Sequence, residues 1–185
     1  MRSAVCLGTL SALTFALCVP VGTQERQGLM SDLIRDIDQV QKKIVGLARA
    51  MPETAYAWRP AKGVRSTSEV LAHVAADNYF LPAAMGTTAP AETGINAKDY
   101  ETTVAFEKKT RTRDEVISEL EKSFAFLKTS MTSFPDAKLD APLETFGQKM
   151  THRALWVSTV THLHEHLGQL IAYARSNNVT PPWSK

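Results

Sequence analysis

Four blocks of this sequence carry apolar residues at steps of three and four, and that period constrains the fold more than any other feature. In the first block, about residues 26–51, Leu29, Leu33, Ile37, Val40, Ile44, Leu47 and Met51 fall on one stripe. Residues at this spacing share one face of an α-helix, so the stripe predicts a helix with one buried side. Pro52 stops it, because a proline ring cannot continue the hydrogen-bond ladder. The second block, about residues 67–83, follows "STSE". Ser66 and Glu69 there form a capping box, in which each side chain bonds the other residue's backbone N–H. The third, about residues 113–133, has a second capping box in Thr112 and Glu115. Its stripe is Val116, Leu120, Phe124 (or Ser123), Leu127 and Met131. The fourth, about residues 151–177, carries Trp156, Val160, Leu163, Leu167, Leu170 and Ala174, and ends at two asparagines before Pro181 and Pro182.

No stretch alternates apolar and polar residues between hairpin turns. The expected fold is therefore all-α, a four-helix bundle. The connection over residues 85–110 is long for a bundle, which points to a crossover or a functional loop. The loop over residues 134–150 is long as well.

The N-terminus departs from this pattern. "MRSAVCLGTLSALTFALCVPVGTQ" has one early positive charge at Arg2, then an apolar run from Ala4 to about Val21. It reads as a secretory signal peptide over residues 1–23, leaving one domain over residues 24–185. An uncleaved anchor is the alternative, although the run is short for a stable span. The expected location is exported, periplasmic or extracellular. Cleavage near Gly22 to Gln24 lacks the usual small-residue pattern, and the bulky Leu17 before Cys18 argues against a lipoprotein. Both cysteines, Cys6 and Cys18, lie in this segment. A mature chain without them has no disulfide and no thiolate, so any metal site must use His, Asp or Glu. A net charge of +2 with both signs interspersed gives no basic stripe for nucleic acid.

Three of the five histidines, His162, His164 and His166, lie within five residues of the fourth block. His162 and His166 are spaced i, i+4 and share a face with Leu155, Thr159, Gln169 and Tyr173, beside the main apolar stripe. That face points into or along the bundle interior. His164 and Glu165 point away. Two imidazoles one turn apart suit a metal ion, but two ligands hold one poorly. His73 in "SEVLAHVAADN", among apolar neighbours on another helix, is the candidate third. Hydrogen-bonded core histidines are the competing reading. The zincin motif is excluded, because His164-Glu165 is followed by Leu167-Gly168 where a histidine is required. Asp77, one turn after His73, can orient an imidazole or sit solvated. Trp58 and Pro60 are expected to plug the bundle end, Ser66 and Ser68 to cap, His152 to lie at the surface and Trp183 to pack down the tail.

Two stretches, "AWRPAKGVRSTSEVLAHVAADN" and "HLHEHLGQLIAYAR" followed by "PPW", resemble the DinB-like (YfiT-like) family of metal-dependent four-helix proteins. The first is similar to its W-x-P…S-x-x-E…H stretch entering helix two. The second is similar to its H-x-x-x-H-x-G-Q-L stretch on the last helix. The resemblance implies a metal triad of His73, His162 and His166, with Gly168 and Gln169 as the family's Gly-Gln pair. Leu167 stands where many relatives have Arg. Three histidines would leave coordination positions open for water or substrate, with Zn, Ni, Mn or Fe as the divalent ion. The resemblance further implies a hydrolase or a thiol-dependent transferase acting on a small molecule, and compatibility with a homodimer. Export weakens the thiol reading. A metal- or ligand-binding bundle without turnover is the alternative, and Asp77 is the one named candidate for a general base.

Overall fold

Each of the four periodic blocks forms a helix, and the first, third and fourth bury an apolar stripe. The computed structural model describes residues 28–184, and the expected signal peptide at residues 1–23 lies outside them. Helix α1 is Leu29–Ala50, α2 is Thr67–Ala84, α3 is Glu101–Glu107, α4 is Arg113–Ser133 and α5 is His152–Ser176. Ile37, Val40, Ile44, Leu47 and Met51 line the core side of α1, and Trp156, Val160, Leu163, Leu167, Leu170 and Ala174 that of α5. Both expected capping boxes are present. Ser66 Oγ accepts from the Glu69 N–H while the Ser66 N–H donates to Glu69 Oε2, and Thr112 and Glu115 do the same.

The long helices pack pairwise, α1 against α4 and α5, and α2 against α4 and α5. Helix α2 is also covered by α3. It is therefore buried almost all round, including His73, Asp77 and Asn78, and it reads as apolar on every face rather than as a stripe. Asn78 is satisfied by donating to Ser123 Oγ of α4 at 3.0 Å. Ser123 and Phe124 are thus both interior.

Two features correct the sequence reading. The connection over residues 85–110 is not a bare loop but contains α3, which lays Thr103 and Phe106 against the core. Seven residues are too few for a period to register. The loop over residues 134–150 contains an antiparallel hairpin, β1 Pro142–Thr145 with β2 Gln148–Thr151, in register Pro142↔Thr151. Its two-residue turn is Phe146-Gly147, with φ of 52° and 68°. Asn-Gly is the usual signal for such a turn, and Phe in its place hid it. The strands also lie at the surface, so they carry no strong alternation.

Among the described residues no helix is long and apolar enough to cross a membrane. Pro60 is exposed, so it does not plug the bundle end. Trp58 does pack there, edge-on to Tyr173 at 5.1 Å. Trp183 is 39% exposed, and the tail is instead seated through the buried Pro181.

Candidate metal centre

Helices α2 and α5 run antiparallel, so that His73 meets His162 and His166 while Arg65, just before α2, meets Tyr173 near the end of α5. Ring centroids lie 5.3 Å apart for His73–His162, 4.7 Å for His73–His166 and 4.4 Å for His162–His166. One ligand nitrogen from each lies within 4.8 Å of the others. Ligands on one ion at about 2.1 Å stand at most about 4.2 Å apart. The rings therefore need only a small inward adjustment to share an ion. His164 points away and pairs with Asp36 of α1, and Glu165 is exposed. His152 is half-buried, with Nδ1 on the Ala141 carbonyl.

The outer nitrogens are held. His73 Nδ1 donates to Glu107 Oε1 at 2.6 Å, and Glu107 Oε2 accepts from Arg65 Nε at 2.9 Å. A carboxylate only accepts, so His73 carries its proton on Nδ1 and leaves Nε2 with a lone pair. The second lock is longer. A backbone carbonyl only accepts, so the Tyr173 hydroxyl donates to the Arg65 carbonyl at 3.0 Å. Gln169 Nε2 then donates to Tyr173 Oη at 3.0 Å, which turns Gln169 Oε1 toward His166 Nδ1 at 2.9 Å. His166 is thereby also an Nδ1–H tautomer with Nε2 free. Arg65 anchors both locks, one through its side chain and one through its carbonyl.

Burial, then the neighbouring His162, push the His166 pKa down to about 4. The ring is neutral at pH 7, the state a metal ligand needs. Burial pushes the Glu107 carboxyl up. The hydrogen bond from His73 and the Arg65 guanidinium outweigh that and hold it below the ordinary range.

Asp77 is neither solvated nor behind the imidazoles. It is buried, with Oδ2 at 2.9 Å from His162 Nε2 and 3.4 Å from His73 Nε2. The shorter contact lacks hydrogen-bond geometry, which leaves His162 Nε2 buried without a partner, and the other oxygen, Asp77 Oδ1, has none either. Orphaned buried polar atoms are costly, and here His162 Nε2 and the Asp77 carboxylate lie beside the free Nε2 of His73. This donor set fits a divalent cation.

Sequence reading pointed to Gln169 and Tyr173 but missed Glu107 and Arg65. The signal for Glu107 was slight, a carboxylate beside Phe106 in "TTVAFE". Gly168 has open space around its Cα, so packing does not require a glycine there.

The DinB superfamily model matches residues 36–170. No curated protein matches the chain. Solved structures do. A DinB-like protein from Bacillus subtilis is 19% identical, covering 80% of this chain and 93% of its own, with a TM-score of 0.62. One from Bacillus cereus is 14% identical, covering 83% and 95%, with a TM-score of 0.63. A conserved protein from Enterococcus faecalis is 14% identical, covering 80% and 95%, with a TM-score of 0.67. At these identities the likeness establishes the shared fold.

Proposed function

The chain belongs to the DinB superfamily, and on that premise we propose that it is an exported metalloenzyme whose four long helices form a bundle around a three-histidine centre. The observation that carries this is the convergence of His73, His162 and His166, two of them locked with Nε2 facing inward. The ion is divalent, one of Zn, Ni, Mn or Fe, and it would supply Lewis-acid chemistry by polarising an oxygen or sulfur of the reactants. The chain's own groups do the rest. Glu107 and Gln169 hold the rings in place. The Asp77 carboxylate, with Oδ2 at 2.9 Å from His162 Nε2, is the group that would accept a proton from a molecule entering the site. The reaction classes that use these parts are hydrolysis and thiol-dependent transfer on a small molecule. The apolar run at Ala4 to Val21 supports export, and export favours hydrolysis.

One observation favours a second reading. Asp77 is close enough to two of the ring nitrogens to serve as a fourth ligand, and a closed site would bind metal without turnover.

The test is metal content after dialysis of the purified protein, beside His73→Ala and His166→Ala. About one ion per chain, lost in both variants, is expected. A wild type that takes up no Zn, Ni, Mn or Fe overturns the reading. Cobalt absorption of the wild type and Asp77→Asn then separates the open site from the closed one, since an Asp77 ligand would change the spectrum when replaced.

A further inference from the structure

Five large apolar side chains are conspicuously exposed among the described residues, and two of them, Tyr100 and Phe146, touch each other. They come from separate parts of the chain. Tyr100 stands at the start of α3, and Phe146 at the hairpin tip. Both pack on Phe80 of α2, at centroid distances of 5.3 and 5.7 Å, and on each other at 5.9 Å. Phe80 is itself buried, so the outer two rings form an exposed ledge on a fixed base.

The ledge adjoins the histidine centre. Phe80 lies one turn beyond Asp77 on α2, about 4.5 Å along the helix, and about 10 Å beyond His73. Helix α3 runs antiparallel to α2, with Glu107 at His73 and Tyr100 at Phe80. The helix that orients a histidine therefore also delivers the ledge. Burial first, then the Asp77 carboxylate, push the Tyr100 hydroxyl above its ordinary pKa, consistent with that proximity.

Phe146 pays for its position. Its φ of 52° is left-handed, where a bulky residue is a genuine outlier and Asn or Gly is at ease. Strain of this kind gathers where a side chain is held for use. Apolar walls beside a few convergent polar groups are the composition of a small-molecule site.

We propose that Tyr100 and Phe146 form the specificity wall of the histidine centre, holding the planar aromatic part of a small molecule whose polar end reaches the metal. The inference rests on the metal-centre reading above. Its occupant is an aryl compound with a short spacer, because Phe80, the base of the ledge, lies one turn beyond Asp77 and two turns beyond His73 on α2.

Hydroxamates of increasing reach are the probes, titrated calorimetrically into zinc-loaded protein. Acetohydroxamate has no ring, hexanohydroxamate has an apolar chain, and 3-phenylpropanohydroxamate has the ring at the required distance. The phenyl compound should bind at least about tenfold tighter than acetohydroxamate and clearly tighter than hexanohydroxamate. In Phe146→Asn, which suits the turn and so protects folding, and in Tyr100→Ala, that preference should shrink to under about threefold. Zinc and acetohydroxamate affinities should stay within about twofold of wild type. Equal preference in wild type and both variants, or an equal gain from the alkyl chain, overturns the aromatic wall while leaving the metal centre standing. Failure of the wild type to bind zinc overturns both.

Discussion

Replacing Glu107 tests whether the charge behind His73 tunes the centre. Its carboxylate serves two donors, His73 Nδ1–H through Oε1 and Arg65 Nε–H through Oε2. In Glu107→Gln one of those faces becomes an N–H donor, so one bond must be lost. His73 is 5% exposed, whereas the Arg65 side chain is 42% exposed. The amide oxygen will therefore stay with the buried imidazole, and Arg65 will turn to water. His73 keeps its tautomer but loses the negative charge behind its Nδ1–H, at the lower end of outer-shell effects, about tenfold in metal affinity, or about 1.4 kcal/mol. Glu107→Ala removes the acceptor altogether and leaves a buried N–H unsatisfied. That costs about 1–3 kcal/mol of stability and about 100-fold in affinity. Arg65→Ala keeps the His73 bond and should cost less than either. Competition against a fluorescent zinc chelator gives the affinities, and thermal unfolding of the metal-free proteins separates affinity from folding. Glu107→Ala within twofold of wild type would refute the outer lock.

The remaining predictions concern stability and the second lock. His166 has a folded pKa of about 4 against about 6.5 when unfolded, so between those values the unfolded chain binds the proton more tightly. The metal-free protein should thus lose stability as pH falls from about 6.5 to about 4, by about 1–2 kcal/mol after allowance for its partial exposure. Urea unfolding at pH 7.5 and 4.5 reads this, and His166→Gln should lessen the drop. Tyr173→Phe keeps the ring against Trp58 but frees Gln169 to rotate; metal affinity should fall about tenfold, and an unchanged value would show that Gln169 holds its orientation unaided. Ser66→Ala removes the cap of α2 and should cost about 1 kcal/mol in chemical unfolding. Phe146→Asn should stabilise the protein by about 0.5–1 kcal/mol, since it relieves the left-handed strain, and a loss in thermal unfolding would show that the ring packing outweighs the turn.

What could be read from sequence followed the range of each interaction. Helices α1, α4 and α5 were legible because their stripes and caps are local, set by residues three or four apart. His162 and His166 were legible as a pair for the same reason. His73 was a candidate third ligand from its apolar setting on another helix, and the resemblance supplied the pairing, since nothing local to "LAHVAAD" says which helix it faces. Glu107 was out of reach on both counts. It lies on a seven-residue helix whose period is too short to register, and it meets a residue 34 positions away. Phe146 was hidden differently. Its turn carries a residue that turn chemistry disfavours, so the local signal spoke against the hairpin. These two silent positions stand at the two ends of one stretch of α2, Glu107 on His73 and Phe146 on Phe80. Local rules are broken where a side chain answers to something other than its own backbone. That is the physical ground for seeking the ligand's apolar end at Phe146 rather than at an exposed residue such as Val157, whose helix explains it fully.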